Sequence, residues 1–402
     1  MKKWTLRIGL VLGGPLLVLL LIELIWHLIG DPRIAENEAW LATRPEHFKL
    51  PSLGLIQNDD DPGVSFGLTP GFHAEVAGNT YQINSHGMRG EEVSTDKPAN
   101  TKRILVLGDS YAFGFGVNGK DTVTTQLQRT LRAEFANLQV LNMGVPGYQT
   151  GQELKVLARD GMRFSPDVVI LIYYANDNVT AVFQWDPRLR LTYVDELPLP
   201  RGFKHFMARS ILYAKITKAY TATIGDELNS RGPIGLKHNW PITSTRLESI
   251  QGLCQRNGAA LVLVAIPALN SSANFIDPTH DFNVDHNRVL RRAGELGLSA
   301  IDFRASLLRW ALSGKGNLPD TALDSPTTLR SYIAKQLGQP DSKVTVPLIF
   351  QGLEALKVVP RPVENLFVGP AQPKKDSHLN PEGYGLLARE IAALVLERKL
   401  LR

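Results

Sequence analysis

The sequence predicts an α/β fold: a central parallel sheet with helices on both faces. Three observations predict it. Short apolar runs alternate with helical patterns through the body of the chain, the rhythm of βαβ units. The runs are rich in Val, Ile and Leu, as buried strands are. Several of them stop at turns rich in glycine and small polar residues. Such turns mark the carboxyl edge of an open α/β sheet, where ligands bind.

The elements follow in order. Arg103 to Leu107, "RILVL", reads as the first strand, and Gly108 turns the chain sharply. Asp121 to Ala136 places leucine and valine at helical spacing. "LQVLNMG" (138–144) is a second strand, and "TGQELKVLARDG" (150–161) a helix closed by Gly161. "PDVVILIYY" (166–174), "AALVLVAIP" (259–267) and "LSAIDF" (298–303) supply the third to fifth strands. A last helix covers Pro381 to Leu400, with proline in its first turn. Right-handed crossovers leave few ways to connect these strands. Residues 180–245 and 314–372 break the rhythm and read as insertions or covers of the 103–402 domain.

Residues 31–102 read as a lead-in with short hairpins, ending in the polar linker "STDKPANTK" (94–102). Before it, Ile8 to Ile29 is almost wholly apolar. Twenty-two residues at about 1.5 Å each reach roughly 33 Å, enough for a bilayer core of about 30 Å. Lys2, Lys3 and Arg7 precede the run, and Asp31, Glu36 and Glu38 follow it. The expectation for residues 1–30 is a cytoplasmic tip and an uncleaved signal-anchor transmembrane helix, with the domain on the periplasmic side of the inner membrane. A cleaved signal peptide is the alternative. Glu23 and His27 sit near the outer end of the span, within reach of the interface.

Composition narrows the function. Of 402 residues, 44% are hydrophobic and 21% charged, the balance of a globular protein. The net charge of +5 is scattered, with no basic stripe interleaved with aromatics, which argues against nucleic acid as a partner. The single cysteine, Cys254, excludes an intrachain disulfide and a cysteine zinc site, and its helix-like position reads as a buried thiol. His280 and His286 lack a metal-ligand pattern; they read, with His86, His205 and His238, as solvated or core residues.

The strand exits carry the chemistry. They offer Gly108-Asp109-Ser110, "NMGVPGYQTG" with Gly144 and Gly147, and "YYANDN" with Asn176 and Asp177, and the last turn before the closing helix offers "KKDSHLNPEGYG" with Asp376 and His378. All would converge on one edge of the sheet. A serine hydroxyl attacks an acyl carbon only when a base takes its proton. His378 can take it, and Asp376 can orient the imidazole. Backbone N–H groups and an asparagine amide can hold the resulting oxyanion. Asp109 and Asp177 read as braces of their turns, and Asn142 and Asn178 as loop residues. Tyr111, Tyr148, Tyr173 and Tyr174 line a pocket or pack the core, and Lys374 and Lys375 suit an anionic substrate or a solvated loop. A phosphate cradle at "GDSYAFGFG" lacks its lysine.

These blocks resemble the SGNH hydrolases, the GDSL esterase/lipase family, over about residues 103–178 and 374–400. The resemblance implies a flavodoxin-like three-layer α/β/α fold. It implies Ser110 as nucleophile, His378 and Asp376 as its partners, and Ser110, Gly147 and Asn176 as the oxyanion hole, with no cofactor. Three departures stand out. Tyr174 replaces the glycine usual two residues before the asparagine. Asp376 lies two residues before His378 instead of three, a spacing that resembles cell-envelope polysaccharide acetyltransferases. The first block lacks the leucine of "GDSL". The stretch "INSHGMRG" also resembles a segment that precedes the domain in membrane-anchored bacterial members. The expected function is serine ester hydrolysis, of acyl groups such as acetyl on envelope or extracellular glycans. An O-acyltransferase and a non-catalytic envelope binding or assembly protein are the alternatives.

Overall fold

Strand β1, Lys102–Gly108, is buried at every position from Arg103 onward. Its apolar side chains thus leave water on both faces of the sheet, each worth about 1.5–3 kcal/mol. Four further strands share that sheet: β2 (Leu138–Gly144), β3 (Val168–Tyr173), β4 (Ala260–Ala265) and β5 (Ser299–Asp302). The order across the sheet is β5-β4-β3-β1-β2. Every adjacent pair is parallel. The order reverses between β1 and β3, the switch point at which a doubly wound sheet opens a crevice. The structure is a computed structural model. It describes residues 17–178, 182–186, 190–194, 200, 203, 207, 210–216, 239–267, 281–312, 318–358, 360–368, 376 and 378–401.

The described α-helices of the sheet-bearing unit are α1 (Ser110–Phe113), α2 (Val123–Leu131), α3 (Thr150–Arg159), α4 (Trp240–Arg256), α5 (Asp281–Glu295), α6 (Phe303–Leu312), α7 (Pro326–Leu337), α8 (Val346–Ala355) and α9 (Pro381–Glu397). Local chemistry sets their starts. Thr122 caps α2, Ser325 and Thr328 form a capping box at α7, and Asn380 caps α9 with Pro381 beside it. One apolar core runs from β1, β3 and β4 into α2, α6 and α9. The stretch 318–358, read from sequence as part of an insertion, contributes to that same core. Leu329 and Ile333 of α7 sit one turn apart and meet Ile349 and Leu353 of α8 in it. Cys254 is buried in α4, and burial pushes its thiol pKa up to about 12.

The chain divides into two compact units. The larger holds 45–47, 67–180 and 231–402, and so takes part of the lead-in as well as the sheet. His73–Val76 and Asn79–Gln82 form an antiparallel hairpin there. The 94–102 linker is pinned, because the buried Arg103 guanidinium donates to the Ser94, Thr95 and Phe164 carbonyls. His286 is a buried core residue bonded to Asp302 at 2.8 Å.

The smaller unit holds 1–44, 48–66 and 181–230. Residues 17–29 are helical and expose Leu17, Leu24, Leu28 and Ile29. The expected span from Ile8 lies partly outside the described residues, and no described helix is long and apolar enough to cross a membrane. Asp31 caps the next helix, Pro32–Ala42. Glu23 does not point to solvent; its carboxylate accepts the backbone N–H groups of Ile211 and Leu212 at 2.9 and 2.8 Å. Lys215 lies over the Trp26 ring, 5.3 Å from its centroid. Asn58 pairs with the Trp185 backbone through both ends of its amide, and 182–186 pairs antiparallel with 190–194. His205, His238, His280, Lys374 and Lys375 lie outside the described residues.

Candidate active site

Ser110 opens α1, and Asp109 is its N-cap. The Asp109 carboxyl accepts the Tyr111 backbone N–H at 2.9 Å, which satisfies one orphan donor of the helix start. Gly114, in the left-handed conformation, ends the helix after one turn. β2 closes tightly on this turn: a Cβ on Gly144 would stand 2.2 Å from the Phe113 nitrogen. The Val145 N–H donates to the Gly108 carbonyl at 3.1 Å, tying the exits of β1 and β2 together. Ser110 is therefore presented at the carboxyl edge of the sheet on a turn with no slack.

The arm opposite comes from the approach to α9. The Val368 N–H donates to the His378 carbonyl at 2.8 Å, and the Asn380 N–H to the Leu366 carbonyl at 2.8 Å. Asn380 then caps α9 through the Gly383 N–H. His378 is thus clamped just before a helix start. Its Nε2 accepts the Ser110 hydroxyl at 2.8 Å. Its Nδ1 meets Asp376 Oδ1 at 2.6 Å. A carboxylate only accepts, so Nδ1 carries the proton and Nε2 is free to take one. The short Asp376–His378 spacing does not separate the two groups. It lets Asp376 Oδ1 accept the His378 backbone N–H as well, at 3.0 Å.

Electrostatics sharpen the pair. Burial raises the Asp376 pKa, but the contacts with His378 and His47 outweigh it and hold the carboxyl well below its usual range. Burial pulls the His378 pKa down; the facing Asp376 charge, with a smaller contribution from Asp109, lifts it above the ordinary imidazole value. The imidazole lies between the rings of Tyr111 and Phe115, at centroid distances of 5.1 and 5.2 Å. Tyr174 packs on Tyr111 at 4.8 Å.

Asn176 follows β3 in a short 3₁₀ turn. Its Nδ2 donates to Asp109 Oδ2 at 3.0 Å, beside Ser110. An amide nitrogen has two protons, so one orients the side chain and the other is available to a ligand. Gly147 lies on the turn between β2 and α3 with φ +86, a backbone that favours glycine. Asp177, buried, accepts the Tyr174 N–H at 2.9 Å and braces the turn after β3 that carries Asn176. Asn142 donates to the Ala112 and Phe113 carbonyls, supporting α1 from beneath.

Two contributors escaped the sequence reading. Arg89, within "INSHGMRG", is buried and donates to the Phe113, Gly114 and Val117 carbonyls around the serine turn. His47 is buried and its Nε2 meets Asp376 Oδ2 at 2.6 Å. An arginine or histidine in a lead-in has no periodicity to mark it. The glycine-flanked "GMRG", with an apolar Met88 beside the charge, is the one sequence sign at Arg89, and in the fold both Met88 and Arg89 are buried.

Residues 106–329 match the sequence profile of the GDSL-like lipase/acylhydrolase family. The match spans more than half of the chain, and the chain belongs to that family. Similar solved structures include a G-D-S-L family protein from Desulfitobacterium hafniense DCB-2, at 11% identity and TM-score 0.38, covering 73% of this chain and 99% of that one. The lipase/acylhydrolase from Enterococcus faecalis is 13% identical at TM-score 0.37, covering 74% and 97%. The acetyl xylan esterase AlAXEase is 14% identical at TM-score 0.38, covering 73% and 99%. No curated protein sequence matches the chain.

Proposed function

We propose that the chain is a serine ester hydrolase in which Ser110, His378 and Asp376 act as a triad. The continuous chain from Ser110 Oγ through His378 to Asp376, at 2.8 and 2.6 Å, carries this reading. Ser110 Oγ attacks the acyl carbonyl as its proton passes to His378 Nε2. The oxyanion is met by the Ser110 and Gly147 backbone N–H groups and by the second Nδ2 proton of Asn176, each donor worth about 3–4 kcal/mol. The imidazolium returns its proton to the leaving alcohol. The acyl group stays on Ser110 until water, deprotonated by the same imidazole, releases it. No cofactor takes part.

The substrate we infer is an ester-linked acyl group, acetyl in particular, on an envelope or extracellular glycan. That inference rests on an N-terminal membrane anchor with the domain on the periplasmic side. The exposed leucines and isoleucines of helix 17–29 support the anchor. The intact protein should sediment with the membrane fraction, and protease added to spheroplasts should degrade its domain; protection from protease refutes this topology. The aromatic walls around His378 also suit an acyl-enzyme sheltered from water, as transfer to a sugar hydroxyl requires. Product analysis with and without a glycan acceptor separates hydrolysis from transfer.

The test of the chemistry is hydrolysis of p-nitrophenyl acetate by the full chain in detergent beside Ser110→Ala. The variant should lose about a thousandfold or more of turnover. Equal rates in both would sink the triad reading and favour a binding or assembly role.

A further inference from the structure

We propose that His47 is a positioning residue for the triad carboxylate; the proposal rests on the esterase reading above. Asp376 Oδ1 is fully engaged, since it receives both the backbone N–H and the Nδ1–H of His378. That double engagement is a product of the two-residue spacing, which brings the backbone donor and the ring donor to one oxygen. Oδ2 is turned away, into a site where the Asp376 side chain is 1% exposed. Without a donor there, the carboxylate would carry a buried, unpaired oxygen and would be free to rotate away from His378. His47 fills that place. Its ring is 3% exposed, and Nε2 stands 2.6 Å from Oδ2.

The ring is itself held. It packs edge-on against Phe115, with centroids 5.0 Å apart. Phe115 also flanks His378 at 5.2 Å. Gly116 presses on the imidazole so closely that a Cβ there would sit 3.2 Å from its Cε1 and Nε2. The contact joins residues 329 positions apart in the chain. The carboxylate only accepts, so His47 presents an N–H to it, and the two imidazoles grip one carboxylate from opposite oxygens. A glutamine side chain carries an N–H at the position of Nε2, whereas leucine keeps bulk and removes the donor.

The experiment compares the full chain in detergent with Ser110→Ala, His47→Leu and His47→Gln. It reads kcat and KM on p-nitrophenyl acetate, and the rate at which a fluorophosphonate labels Ser110. Thermal midpoints confirm which variants are folded. His47→Leu should lower kcat and the labelling rate by about 10–100-fold with KM nearly unchanged, the scale of a misplaced catalytic group. His47→Gln should recover most of that loss. A folded His47→Leu that turns over and labels like the parent overturns the proposal, as does a folded His47→Gln no better than His47→Leu. Labelling that persists in Ser110→Ala overturns the esterase reading instead, which separates the two failures.

Discussion

Asp376 and the pair Glu153–Asp177 lie in the same unit, all buried, yet their carboxyl groups behave in opposite ways. Asp376 is held ionised, because two imidazoles and a backbone N–H face it. Glu153 is fully buried on α3, and neither of its oxygens has a hydrogen-bond partner among the described residues. Burial, then the neighbouring carboxyl groups, push the Glu153 and Asp177 pKa values well above the usual range. Asp109 falls between them: burial raises it, while the Tyr111 N–H, His378 and Asn176 pull it back. Burial alone therefore does not set a carboxyl's charge here. The donors aimed at it do, and they are concentrated where a proton must be moved.

The strongest way to break this contrast is Asp376→Asn. The amide must turn its NH2 toward one of the two imidazole N–H donors, so the base loses its orientation. Turnover of p-nitrophenyl acetate should fall by about 10³–10⁴-fold. A loss of less than tenfold would mean that the ionised carboxylate does not matter. Next comes Asn176→Ala, which removes the amide that Asp109 orients. A loss of about 10²–10³-fold in kcat is expected if its second proton meets the oxyanion, and none if it only braces the turn.

The pH profile sharpens the same point. Attack needs neutral His378, whose pKa stands above the ordinary imidazole value of 6.5. Activity should rise as pH increases through an apparent pKa above that value. The residual activity of Asp376→Asn should show this limb moved to lower pH, because the attraction that lifts His378 is gone. A limb at or below the ordinary value in the parent would contradict the electrostatic picture.

The smallest effect tests the other cluster. Glu153 ionises near 4.5 in the unfolded chain and well above that when folded. Its neutral form thus favours the native state below about that pH, and the advantage is lost as pH rises toward the folded pKa. Glu153→Gln removes the need to ionise. Relative to the parent, its thermal midpoint should improve between pH 5 and pH 8 by about 2–4 °C. A constant difference between the two proteins would place the burden elsewhere.

Much of this site was legible in the sequence. β1 was readable from "RILVL" because a strand covered on both faces must be apolar throughout, and α9 from Pro381, whose fixed φ and missing N–H suit a first helical turn. The convergence of Ser110 and Asn176 followed from the parallel topology, which sends both strand exits to one edge, and His378 reaches them from the turn before α9. His47 and Arg89 were not legible, because their partners are brought to them only by the folded chain. The core role of the 318–358 stretch was not legible for a related reason: its prolines and polar residues mark helix starts and outer faces, while Leu329, Ile333, Ile349 and Leu353 join the core.

The placement of Arg89 and His47 has a practical consequence for anyone cutting this gene. The obvious boundary for a soluble fragment is the start of the parallel sheet, near residue 100. Such a fragment would keep the serine, the histidine and the aspartate, and would still be scored as complete by its motifs. It would lack the cation that threads the serine turn and the imidazole behind the aspartate. An inactive product of that kind would report on where the scissors fell and not on the chemistry of the enzyme.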